Sequence, residues 1–193
     1  MSPRSAHLRF LLRGSLLLTG ILALWWLALQ PPLLFLLRVS EETVMSLLPG
    51  AGPARAIAVD AAGDWNFRVP VDDTRLEAGS LVRVDSVEFT IPRHDVLLFT
   101  FSLPLFWALM LAAPDVRSHL AALLWGTGAL AAFEVLLLLG FVEINARGMV
   151  GWSGRWLELA TYLATSVLPF FAPLAAALAL HRDLRALIFP SRT

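Results

Sequence analysis

Leu120-Ala121-Ala122-Leu123-Leu124-Trp125 opens an apolar run that continues to Gly140 with a single charge in it, Glu134. Pro114-Asp115-Val116-Arg117-Ser118-His119 precedes the run and Phe141 follows it. As a helix rising about 1.5 Å per residue, it crosses a bilayer whose hydrocarbon core is about 30 Å thick. A charged side chain at mid-helix costs about 2.5–3.5 kcal/mol on insertion scales, less for a carboxyl that is protonated. Lipid therefore does not hold Glu134, and the helix must turn it toward other helices or trapped water. This one stretch makes the chain a membrane bundle.

The composition around it agrees. The chain has 193 residues, 58% of them hydrophobic and 16% charged, with a mean hydropathy of +0.71. That is not the make-up of a soluble globular domain. Net charge is zero, so there is no bulk attraction for nucleic acid. All fifteen basic residues are Arg, which removes Schiff-base and Lys general-base chemistry. There is no Cys, which removes disulfides, Cys-rich zinc sites and thiol nucleophiles together.

Four spans are predicted. Residues 1–13 form a basic N-terminal segment with Arg4, Arg9, Arg13 and His7. Residues 14–37 are the first span, a signal anchor rather than a cleaved signal: the run is long for a signal and no Ala-x-Ala site precedes the prolines. Trp25-Trp26 sit toward its outer end, where interfacial Trp is common. Pro31-Pro32 should kink or end that helix, because each lacks a backbone donor and clashes one turn back. Residues 33–48 then tilt away as an amphipathic piece with Arg38, Glu41 and Glu42 facing water. Residues 96–113 are the second span, kinked at Pro104, with Asp95 placed to cap it. Residues 119–142 are the third, 143–155 a short outer loop, 156–180 the fourth with Pro169 and Pro173, and 181–193 the tail.

Residues 38–95 break the helical pattern. They hold ten acids against six Arg, a net charge of −4. Trp65, Phe67, Val69 and Val71 alternate with Asn66, Arg68 and Pro70, and Val87, Phe89 and Ile91 alternate with Glu88 and Thr90. A period of two means strands with one buried face. Gly50-Ala51-Gly52-Pro53 and Glu77-Ala78-Gly79-Ser80 punctuate them as turns. The expectation is a small two- or three-stranded antiparallel sheet, too small to be stable alone, resting on the helix ends or on a partner. As a recognition surface it would present Trp65, Phe67, Arg68 and Phe89; as an ordered loop it would have no role of its own. The fold class is thus a membrane all-α, four-transmembrane-helix bundle with a small antiparallel β-rich extracytoplasmic insertion between helices 1 and 2.

Four spans put both termini on one side. The N-terminal segment, the 114–119 turn and the tail hold seven Arg against Asp115 and Asp183. By the positive-inside rule both termini are cytoplasmic and the sheet is outside, periplasmic in a diderm cell.

Glu134 is the strongest single candidate. Thr127, Leu130 and Ala131 share its helix face at spacings of seven, four and three. Gly128 and Ala132, spaced by four, favour close helix approach. Functionally it is a proton-relay carboxylate or a contact to a partner's intramembrane Arg. Structurally it is an interhelical hydrogen bond to Ser102, Thr165 or Ser166. His7, His94, His119 and His181 all fall at membrane boundaries with no ligand spacing between them. His119 and His181 can meet at the cytoplasmic ends of the last two helices, near Asp115 and Asp183. Gly148, Gly151 and Gly154 follow no strand and do not make a phosphate cradle. Ser102, Ser118 and Ser166 lack a nucleophile elbow and a base. No catalytic residue, cofactor or metal is expected.

Trp25-Trp26 with Pro31-Pro32, the strand-rich segment, and then Ser102-Leu103-Pro104-Leu105-Phe106-Trp107-Ala108-Leu109 closed by Ala112-Ala113 together resemble the small membrane proteins that accompany exosortases. In particular they resemble the exosortase H-associated membrane proteins. The resemblance covers most of the chain in topology, and its one motif-like part is Leu103-Pro104-Leu105-x-x-Ala108-Leu109. It implies a bacterial inner-membrane partner to a transpeptidase-like sorting enzyme that processes proteins bearing a C-terminal anchor. It carries over no catalytic residue, since the enzyme's cysteine has no counterpart here.

Two functions follow as expectations. One is a non-enzymatic accessory subunit that docks beside an exosortase-like sorting enzyme and presents the outer sheet. The alternative is a small transporter or channel component that uses Glu134. An intramembrane hydrolase lacks a nucleophile and a base. Association with further copies of the chain is left open.

Overall fold

A computed structural model describes residues 3–48, 56–77, 80–113, 119–151, 154–181 and 184. The turn at 50–53, the 114–118 turn and the tail beyond 184 lie outside the described residues. Among the described residues four helical spans are long and apolar enough to cross a membrane, and one three-stranded antiparallel sheet accompanies them.

The first span is built from α1 (Pro3–Leu24), a π-helical segment (Trp25–Leu29) and α2 (Gln30–Leu47). Pro31-Pro32 do not end it. The Gln30 N–H reaches five residues back to the Trp25 carbonyl, and this wider turn makes room for two residues that carry no donor and crowd the preceding turn. The same device recurs in the fourth span, where α6 (Arg155–Tyr162) leads through a π segment (Leu163–Val167) into α7 (Leu168–Leu180). There the Leu168 N–H reaches the Leu163 carbonyl one residue before Pro169.

The second span is α3 (Arg93–Thr100) and α4 (Ser102–Ala112), broken at Phe101. Pro104 removes the donor that would close on the Thr100 carbonyl, so the helix tightens to a Phe101-to-Leu98 bond and restarts. The α3 cap is not Asp95, which sits inside the first turn. It is Asp64, whose Oδ1 accepts the Arg93 N–H at 2.8 Å from the turn before the second strand. The third span, α5 (Leu120–Met149), is unbroken over 30 residues. Residues 143–149, expected as loop, are thus helical.

The sheet follows the first span and precedes the second in order β1 (Ala56–Val59), β2 (Trp65–Glu77), β3 (Ser80–Ile91), with Trp65 opposite both Val59 and Ile91. The turn from β1 to β2 closes on Asp60, whose Oδ1 accepts the N–H groups of Ala62 and Asp64 at 2.9 Å. Gly63 takes the positive φ of 88° that this turn requires. A register shift between Pro70 and Asp73, with Asp72 at φ 39°, bends the hairpin away from its base.

Packing explains how so small a sheet is held. The first apolar span covers 38 residues, or about 57 Å of helix against a hydrocarbon core of about 30 Å. The C-terminal ends of α2 and α5, with the start of α3, meet the inner face of the sheet. Trp65, Phe67, Val69, Phe89 and Ile91 pack there with Leu37 and Met45 of α2, Val96 and Phe99 of α3, and Val135, Leu138, Val142 and Ala146 of α5. A second core, at the opposite end, joins Leu103, Phe106 and Met110 to Leu130, Ala177 and Leu184. The α3–α4 span is central: 56% of its apolar window is buried, against 17% for the first span and 22% for each of the others.

Candidate functional site

Three of the four spans depart from regular α-helix at one depth. The Trp25 ring in the first π segment sets its edge on Phe101 at the α3–α4 break, 6.0 Å between centroids. Phe101 in turn meets Phe170, just past the second π segment, at 5.2 Å. The one regular span, α5, places Glu134 beside them. Irregular helix of this kind is frequent at functional positions.

Glu134 is 4% exposed. The Ser102 hydroxyl donates to its Oε1, and the backbone N–H of Leu103 also bonds the carboxyl. These two donors begin α4, where the first N–H groups of a helix have no acceptor of their own. A carboxyl group at a helix N-terminus also meets the favourable end of the dipole. Glu134 therefore caps α4 from the neighbouring span. Replacing it with Leu leaves two buried donors without this acceptor and is expected to cost about 1–3 kcal/mol. Gln keeps an acceptor and is expected to lose less, the order being read from thermal unfolding in detergent.

Thr127 is not a hydrogen-bond partner of Glu134, though both line one cleft. It accepts the Trp107 indole N–H at 2.9 Å, donates to the Leu123 carbonyl at 2.8 Å, and so ties α4 to α5 two turns away. Ser166 is exposed, 3.5 Å from the Thr165 hydroxyl. Between α2, the second span and α5 lies a cleft of about 310 Å³, with Leu33, Leu36, Ser40, Trp107, Ala131 and Glu134 among its lining residues. Its walls are apolar apart from a few convergent polar groups, the usual character of a binding cleft.

In the sheet, the expected recognition surface is corrected. Trp65, Phe67 and Phe89 face inward, buried against the helix ends. Only Arg68 is exposed, and its Nε pairs with Glu88 Oε1 at 2.6 Å. The period of two identified a buried face without saying that the protein's own helices cover it. The open face is polar: Asn66 and Thr90 bond to each other beside the Arg68–Glu88 pair.

Glu41 was expected to face water with Arg38 and Glu42. The latter two do, paired at 2.7 Å, but Glu41 is fully buried, and neither carboxyl oxygen has a partner among the described residues. Its spacing of four from Leu37 and from Met45 was the available signal, since both lie on the apolar stripe of α2. Glu41→Met removes an unsatisfied carboxyl at nearly constant volume and is expected to raise stability by about 1 kcal/mol. A lower unfolding temperature for that variant would show that Glu41 has a partner in the membrane.

His119 and His181 stack, 3.9 Å between ring centroids and 18° between planes. Asp115 and Asp183 lie outside the described residues. Among the described residues no group of three or more His, Asp or Glu is placed to hold a metal ion. The sequence profile of the family described as exosortase H-associated membrane protein matches residues 4–184. No curated protein and no solved structure matches the chain.

Proposed function

The chain belongs to the exosortase H-associated membrane protein family, and from that membership we propose that it is a non-enzymatic accessory subunit of an exosortase sorting system. It sits in the bacterial inner membrane beside the sorting enzyme. The observation that carries this reading is the family match across nearly the whole chain, spans and sheet together. The absence of Cys and Lys supports an accessory over a transpeptidase role. The anchoring of the sheet to three helices supports a rigid lobe that can be presented to the enzyme or to its substrate.

Both termini are cytoplasmic and the sheet is periplasmic, a reading supported by the seven Arg on the terminal side and the net acidic charge of residues 38–95. The spans run over 14–37, 96–113, 119–142 and 156–180. The test is co-purification of the full chain with the co-expressed exosortase in mild detergent, expected to be lost on deleting residues 56–92. A reporter fused at Thr193 should read as cytoplasmic, and protease added to spheroplasts should cut the sheet. A solitary chain that never associates with the enzyme would overturn the proposal.

A second reading is favoured by one observation, the meeting of three irregular spans beside an intramembrane carboxyl. Discontinuous helices at mid-membrane are how many transporters build ion and substrate sites. On that reading Glu134 is the ion- or proton-linked group, and a Glu134→Gln variant that keeps full function in a transport assay removes it.

A further inference from the structure

Among the described residues, Glu41 is a fully buried carboxyl group whose two oxygens both lack a partner. Leu37 and Met45, four residues to either side of it on α2, belong to the core on which the sheet rests, with Trp65, Phe67 and Phe89 of the strands and Val142 of α5. Glu41 therefore lies in the seat of the sheet, on a stripe of α2 whose neighbours are apolar.

The charged groups on the surrounding elements are engaged elsewhere. On α2 itself, Arg38 pairs with Glu42. On α3, Arg93 and His94 are exposed, and Asp95 lies 3.4 Å from His94. In the turn before β2, Asp60 and Asp64 accept backbone N–H groups. On the sheet, Arg68 pairs with Glu88, and Arg83 with Asp72 and Asp85. On α5, Arg147 pairs with Glu143, and Ser102 donates to Glu134. None of these groups bonds a Glu41 oxygen.

A carboxyl so placed is held as the neutral acid, because an isolated carboxylate in an apolar medium is far costlier than the protonated group. Once the sheet lifts, water reaches Glu41, and it ionises as an ordinary glutamate does, above about pH 4.3. The seated state thus keeps the proton where the released state gives it up to solvent. Below that pH both states hold the proton and the seat is at full strength. As pH rises above it the seat weakens, the equilibrium shifting by up to about tenfold per pH unit.

We propose that Glu41 is a proton-dependent latch: the sheet seats on α2, α3 and α5 with this carboxyl neutral, and ionisation of the carboxyl frees the sheet. The latch goes beyond the accessory reading and operates whichever protein the sheet meets. Trp65, Phe67 and Phe89 are covered in the seated form and become accessible as the sheet lifts. The acidity of the compartment that the sheet faces then sets how much of this aromatic face is offered to a partner.

The test compares the full chain with its Glu41→Gln variant in mild detergent, reading the rate of proteolytic cutting between residues 60 and 91. Gln matches Glu in size and cannot ionise. Taking the ratio of the two rates at each pH removes the protease's own pH dependence and that of the other titrating groups. The unaltered chain is expected to be cut at the variant's rate at about pH 5 and at least about tenfold faster by about pH 8. Glu41→Met, also unable to ionise, should give the same divergence, and it serves if the Gln variant fails to fold. A ratio that stays flat across this range overturns the proposal. A ratio that falls with rising pH shows a carboxylate paired in the seated form and overturns it too, as does a sheet that resists cutting at every pH.

Discussion

Trp65→Ala is expected to lower stability by about 3–5 kcal/mol and to release the sheet from the helices that carry it. Trp65 is 2% exposed and pairs with Val59 on one side and Ile91 on the other. It thus joins the two outer strands at the point where the middle one packs on the helix ends. Its ring lies 6.1 Å from that of Phe67, which stacks on Phe89 at 5.7 Å, so truncation opens a void under the whole inner face. A three-stranded sheet has too little apolar surface to refill such a void or to stand without it. In detergent the first unfolding transition should move down while the helix signal persists. Limited proteolysis should cut between residues 60 and 91 before it cuts the spans. Val82→Ala is the control: Val82 is 41% exposed, and its loss should change stability by no more than about 0.5 kcal/mol. Equal sensitivity at the two positions would mean that the sheet is held by something other than its inner face.

The same contrast shows which parts of the molecule the residues announce. The Leu120–Gly140 run required a helix, and Glu134 required that the helix have neighbours, because a carboxyl group and lipid are incompatible whatever the rest of the chain does. The alternation at Trp65–Phe67–Val69 required a one-sided sheet for an equally local reason. What covers that side was not local. It depends on α2, α3 and α5 meeting the strands at one end of the bundle, a tertiary arrangement that leaves no trace in a hydropathy pattern. Glu41 was misplaced for the same cause: its charge argues for water, while its register with Leu37 and Met45 argues for the core, and only the position of the sheet decides. Asp64 capping α3 across 29 positions is a tertiary contact that no spacing rule reports. Pro31-Pro32 flagged trouble in the first helix, but a π turn absorbs a proline as well as a break does, there and again before Pro169, and choosing between them takes the packing of Trp25 and Phe170 around Phe101.

Gly126→Leu is the other substitution with a large expected effect, about 3 kcal/mol or more, beyond the usual cost of overpacking. Gly126 is buried where α5 crosses α4 and α7. A Cβ there would clash with the edge of the Phe106 ring and lie 2.8 Å from Leu180 Cδ1. Leu180 is 38% exposed and can turn aside, but Phe106 is fully buried among Leu103, Met110 and Leu130 and has nowhere to go. Even Ala should destabilise, although replacing a mid-helix glycine by Ala is normally favourable by about 0.5–1 kcal/mol. The sign of Gly126→Ala therefore reports directly on the crossing, since propensity and packing oppose each other and packing is expected to win. Gly128→Ala, two residues on with open space at its Cβ, has only the propensity term and should be neutral or slightly stabilising. Measured side by side in detergent, opposite signs establish that α5 meets its own bundle along Gly126 and leaves Gly128 free. If both variants are stabilised, the close approach of α5 to Phe106 does not exist in the membrane, and the depth at which α4 receives the Glu134 cap would have to shift with it.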